Sequence, residues 1–136
     1  MGAVAEARAT SSAIETVMIT RQDINCYAEL TGDFNSIHFG ENAIVHGGLL
    51  IGKVSAEVWR RFGNGTKARG IDKLRFDRPI RPGEAFSIFI GDPVPLPGRE
   101  RFGEQVCEVR VTKICDCHRK LVTSGEVVVI LPAPLH

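Results

Sequence analysis

A chain of 136 residues, 43% of them hydrophobic and 24% charged, has the size and composition of one soluble domain with its own core. Its formal net charge of +1 provides no broad basic field to hold nucleic acid or an anionic membrane, so any phosphate contact must come from a local cluster. No apolar run approaches the ~20 residues needed to cross a bilayer.

The first twelve residues, MGAVAEARATSS, are small and polar and lack the apolar centre of a signal peptide. They read as a flexible tail ahead of a single domain spanning 13–136. Without an export signal, Cys26, Cys107, Cys115 and Cys117 point to a reducing cytoplasm and not to a secreted disulfide framework. Cys115-Asp116-Cys117-His118 could be a metal-binding fragment, but a structural zinc site wants four ligands, usually in two separated pairs. No second pair is present, so Cys115 is read as a strand end and 116–120 as a turn. No metal and no cofactor are expected.

In chain order, Ile14 to Ile19 is a strand. Thr20 with Asp23 three residues on is a variant of the capping pattern that starts helices. The helix runs through Ile24, Tyr27, Ala28 and Leu30 as one apolar face and stops at Gly32. Residues 33–46 are polar and without period, and read as a loop. From Gly47 to Phe62 the chain is helical again. Leu50, Val54, Val58 and Phe62 form a stripe that Leu49, Ile51 and Trp59 broaden. A helix apolar over so much of its circumference belongs at the centre of the fold.

After Gly63-Asn64-Gly65 the pattern becomes extended: 67–77, then a turn at Pro79 to Gly83, then Ala85 to Ile90. A proline-rich connection at 92–99 leads to two longer strands, Glu104 to Cys115 and Lys120 to Leu131. Four strands without an intervening helix cannot form a parallel sheet, which needs crossover connections. The pattern therefore implies an α+β fold, with a mainly antiparallel sheet around one buried helix.

The chemistry concentrates in Tyr27 to His38 and in Ile44 to Gly48. Asp33, Asn35 and His38 crowd into the loop between the two helices, and a carboxylate and an imidazole there can share and deprotonate one water. Gly47 opens the central helix, where the first backbone N–H groups lack internal partners and lie at the positive end of the dipole. Aimed at a carbonyl oxygen, such an N–H stabilises an enolate as it forms. Each residue alone also has a structural reading: Asp33 and Asn35 as turn caps, His38 as a hydrogen-bonded loop histidine, and Gly47 and Gly48 as easing helix entry.

Taken together, the stretch resembles the R-specific enoyl-CoA hydratases and MaoC-like dehydratases. Their hallmark runs aromatic, two residues, apolar, small, Gly-Asp-x-Asn-Pro, aliphatic, His. Tyr27, Leu30, Thr31, Gly32, Asp33, Asn35, Ile37 and His38 match it. Ile44-Val45-His46-Gly47 looks like the start of that family's central helix, and Phe76 with Arg78 to Glu84 (RPIRPGE) looks like its later strand link. The resemblance covers about residues 14–131 and is specific around 27–50 and 74–84.

It implies a hot-dog fold, a homodimer whose sheets join, and an acyl tunnel at or near the interface. It also implies reversible hydration of a trans-2-enoyl thioester to an R-3-hydroxyacyl thioester, on coenzyme A or an acyl carrier protein. Asp33 and His38 would then activate water and Gly47 would bind the thioester oxygen. Asn35, Gly48 and Ser55 would belong to the substrate site. Ser55 has an alternative as a small helix-packing residue. Arg69, Lys73, Arg75, Arg78 and Arg81 read first as a solvated strand edge, and otherwise as contacts for the carrier phosphates.

Two positions depart from the pattern. Ser36 replaces the family's proline, which loosens the backbone but removes no reactive group. Only seven residues separate His38 from His46, where family members carry a longer segment with a short covering helix. A shortened cover opens the site, alters the preferred chain, or spoils the geometry. Two other functions remain alongside: a hot-dog thioesterase in which Asp33 directs water at the carbonyl, and a non-catalytic acyl-binding or partner subunit.

Overall fold

The computed structural model describes residues 16–115 and 118–133. The N-terminal tail and the beginning of the first expected strand lie outside them, as do Asp116 and Cys117. Helix α1 spans Arg21–Thr31 and is fixed by its ends. Thr20 Oγ1 accepts from the Asp23 N–H and the Asp23 carboxylate accepts from the Thr20 N–H, a reciprocal capping box. Gly32 closes the helix in the left-handed region at φ 81°, its N–H donating to Ala28 O at 2.8 Å.

Ile24 and Ala28 are buried, but Leu30 is 85% exposed. The expected apolar face thus stops short of Leu30, which points away from the core.

Among the described residues, six strands form one antiparallel sheet: β1 (Thr16–Val17), β2 (Lys67–Phe76), β3 (Phe86–Ile90), β4 (Val94–Pro95), β5 (Glu104–Cys115) and β6 (His118–Ile130). Their order is β1-β3-β5-β6-β2, with β4 also on β5. Two details differ from the sequence reading. The proline-rich connection contains the two-residue strand β4, and His118 to Lys120, expected in a turn, already belong to β6. The β5–β6 pairing is regular from Glu104↔Ile130 to Cys115↔His118 except for one shift beside Val111, so pairing with β5 extends β6 back to His118.

Helix α2 spans Gly47–Phe62 and buries Leu50, Val54 and Val58. They join Phe86, Val109 and Val127 from the sheet in the main core, and each fully buried side chain of this size contributes about 1.5–3 kcal/mol relative to exposure. The opposite face is open: Gly48, Gly52, Ser55 and Trp59 are exposed. The sheet therefore covers one side of the helix. No helix among the described residues is long and apolar enough to cross a membrane.

Candidate active site

The loop after α1 is organised by its own side chains. The Asp33 N–H donates to Thr31 Oγ1 (3.3 Å), Asp33 Oδ1 accepts from the Asn35 N–H (3.2 Å), and Asn35 Oδ1 accepts from the Ile37 N–H (3.3 Å). These short-range bonds produce a 3₁₀ turn, Ser36–His38, inside what the sequence suggested was plain loop. Asn35 serves as its N-cap, in line with the structural alternative for that residue.

His38 ends this turn, only 7% exposed. Its Nδ1 lies 2.9 Å from Ile44 O. A carbonyl only accepts, so Nδ1 carries a proton, and in the neutral ring Nε2 presents its lone pair. That lone pair faces Asp33 Oδ2 at 3.8 Å. The gap is too long for a direct hydrogen bond and suits a shared water. Asp33 has one oxygen tied to the loop and the other turned toward His38, with its side chain 47% exposed.

The second half of the site is His46, which the sequence reading did not single out. It is 1% exposed, and its Nε2–H donates to the Asp33 main-chain oxygen at 3.1 Å. Its ring stacks on His38 with centroids 3.7 Å apart and packs against Tyr27 at 4.6 Å. His46 is also the N-cap of α2 yet makes no side-chain cap bond. One imidazole thus joins α1, the Asp33 loop, the His38 turn and the start of α2. The sequence signal was there: a histidine behind two apolar residues and directly before a helix-opening Gly-Gly.

Asp33, His38 and His46 each offer a ligand atom within 4.8 Å of the others. The two rings are only 25° from parallel, so their in-plane lone pairs run side by side. Gathering them on one ion requires a ring to turn. His46 Nδ1 is buried without a hydrogen-bond partner, and the donor set as held suits proton handling better than coordination.

Gly47 and His38 both line a pocket of about 440 Å³, walled by Ile44, Leu50, Phe76 and Ile80. Gly47 can lie against the Phe76 ring because it has no side chain: a Cβ there would fall 3.2 Å from Phe76 Cζ. A Cβ at Gly48 would fall 1.9 Å from Tyr27 Oη, so only glycine fits beneath that hydroxyl. Asp33 reaches the pocket through His38 and is not itself a wall residue. Asn35, Gly48 and Ser55 are exposed and do not line it. Ser55 sits more than two turns along α2 from Gly47, on the helix face turned from the core.

The short segment between His38 and His46 is a tied crossing with no covering helix. Arg21 Nη1 donates to Gly40 O (2.7 Å), Arg81 Nη1 to Asn42 O (2.9 Å), and the Val45 N–H to Ile80 O (2.7 Å). The shortened span still brings His38 and His46 into contact. Of the five basic residues, Arg69, Lys73 and Arg75 pair with Glu104, Glu126 and Asp77. Arg81 holds the crossing, and Arg78 lines the pocket while donating to Leu121 O at 2.8 Å.

The MaoC like domain family model matches residues 4–90. A 3-hydroxybutyryl-CoA dehydratase of Methylorubrum extorquens is 27% identical, the match covering 84% of this chain and 74% of that protein. Among solved structures, the (R)-hydratase from A. caviae involved in PHA biosynthesis superposes with a TM-score of 0.72 at 23% identity, covering 88% of this chain and 93% of that one. An R-hydratase from Pseudomonas aeruginosa gives 0.71 at 25% identity, covering 90% and 80%. A hexameric hotdog fold thioesterase of Campylobacter jejuni gives 0.58 at 16% identity, covering 88% and 81%, and shares the fold alone. With a family model matched over more than half its length, this chain belongs to the MaoC-like domain family and has the hot-dog fold.

Proposed function

We propose that the protein is a hydro-lyase interconverting a trans-2-enoyl thioester and its R-3-hydroxyacyl thioester. The observation that carries this reading is His38 Nε2 facing Asp33 Oδ2 at 3.8 Å, on the wall of the pocket that α2 meets with Gly47. A water held between carboxylate and imidazole gives one proton to the pair as its oxygen bonds to the β-carbon. The electron pair of the double bond moves through the α-carbon onto the thioester oxygen, where the Gly47 N–H receives the enolate charge. The pair then returns the proton to the α-carbon. Dehydration is the reverse.

The acyl carrier is coenzyme A or phosphopantetheine on a carrier protein. Arg78 at the pocket wall is the cation placed to meet its phosphates. The protein acts as a homodimer. Among the described residues, strand β2 is bonded to β6 on one side only, and nine of its ten residues are exposed. A free edge of that length is normally paired or covered.

The test is loss of enoyl absorbance from crotonyl-CoA. Asp33→Asn should lower turnover by about 10²–10⁴-fold with an unchanged melting midpoint; His38→Ala should lower it similarly and also lower the midpoint, because that ring is buried against His46. Full activity in Asp33→Asn removes the assignment. Free thiol appearing from a saturated acyl-CoA identifies a thioesterase instead.

A further inference from the structure

Two spaces meet at the same pair of side chains. The outer one is the pocket of about 440 Å³ that holds His38, Gly47 and Arg78. The inner one lies deeper between α2 and the sheet and measures only about 10 Å³, barely the volume that admits one water. Leu50 from α2 and Phe76 from the end of β2 line both. Beyond them the inner walls are Val54, Leu74 and Val127, and the sole polar group is the Thr123 hydroxyl, buried with no hydrogen-bond partner. The outer space can receive a polar reacting group. The inner space suits only alkyl.

We propose that Phe76, backed by Leu50, is a partition that ends the acyl site and restricts the protein to short acyl chains. The proposal rests on the hydratase reading above and adds to it the residue that sets chain length. A thioester held by Gly47 directs the far end of its acyl group along α2, toward the Phe76 ring packed on that helix's first turn. Each methylene beyond the partition has no volume to enter, and cores this dense do not yield cheaply. Removing the ring joins the two spaces into one apolar channel. Phe76 is 48% exposed, so its truncation takes little from the core.

The experiment measures binding by calorimetry of two coenzyme A ketone analogues, with four- and eight-carbon acyl chains. In these a methylene separates sulfur from the carbonyl, so they neither hydrate nor hydrolyse. Wild type should prefer the four-carbon analogue. In Phe76→Ala the ratio of eight- to four-carbon affinity should rise by at least about tenfold, the scale on which apolar pockets discriminate chain length. Phe76→Val should show a smaller rise, and adding Val54→Phe to Phe76→Ala should cancel it by refilling the inner space. An unchanged ratio, or no binding of either analogue by wild type and variants, overturns the partition. The crotonyl-CoA assay, run in parallel, separates the two ideas. Hydration with an unchanged ratio retains the hydro-lyase and removes the partition; a shifted ratio without hydration does the reverse.

Discussion

Tyr27 and Gly48 show how closely single atoms set this site. The tyrosine ring leans on His46 and its hydroxyl fills the space a Cβ at Gly48 would need. Gly48→Ala must therefore push α1 and the start of α2 apart, at a cost of about 1–3 kcal/mol for overpacking. Its turnover should fall as well, because Gly47 moves with the helix end. Tyr27→Phe in the same chain should recover part of both, since the nearest remaining atom, Cζ, would lie 3.0 Å from the new Cβ. Thermal melts and crotonyl-CoA turnover of the single and double variants check this, and a fully stable Gly48→Ala would contradict the packing. Asp33 and His38 were legible in the sequence because their spacing is local and chemically distinctive. His46 left only a positional signal, two apolar residues before it and Gly-Gly after it; its role was not legible, because its partner is a main-chain oxygen thirteen residues away.

Among elements, the Pro79 to Glu84 turn depends on contacts from several directions. Lys113, buried on β5, donates to Pro79 O at 2.8 Å and lies 3.5 Å from Glu84 Oε1. Glu84 Oε1 also accepts from the Arg81 N–H at 2.6 Å. Ile80 O in turn receives the Val45 N–H, which ties the turn to the crossing before α2. Lys113→Met keeps the apolar stem and strips the charge, leaving the Pro79 carbonyl without that donor. The expected loss is about 1–3 kcal/mol, read as a lower urea midpoint, with a weaker effect on activity.

Helices α1 and α2 could be read from sequence because caps and periodicity act within a few residues: Thr20, Asp23 and Gly32 mark the ends of α1, and Gly47 the start of α2. Periodicity gives a face but not its neighbour, which is why Leu30 was placed inside and is outside. Two-residue β4 has no period to read, and it exists because Val106 and Gln105 on β5 offer it a ladder.

For the molecule as a whole, acid stability should pass through Glu104. This carboxylate, 5% exposed, bonds Arg99 and lies 3.6 Å from Arg69 on β2. The Arg99 hydrogen bonds hold its carboxyl below the ordinary value, overriding the upward push of desolvation. A folded value below the unfolded one means the contribution is fully present above the usual carboxylate pKa of about 4.3. It is lost as pH falls through the lower folded value. Wild type should therefore lose stability progressively below about pH 4, and Glu104→Gln should flatten that slope while being less stable at neutral pH. Urea melts across pH give the comparison, and parallel slopes would exclude Glu104 as the acid-sensitive group.

The strand order carries a consequence for how the protein is made. Asp33, His38, His46 and Gly47 all lie before residue 50, yet β2, which ends at Phe76, finds its only partner among the described residues in β6, beginning at His118. During synthesis the reactive loop and α2 emerge first, with nothing to rest on. The hairpin of β5 and β6 must leave the ribosome before β2 can dock, and such distant pairings are slow to close. Until then Phe86, Val109 and the helix stripe are exposed together, so the interval between the first eighty residues and the last strand is when this chain is most open to aggregation or to a chaperone.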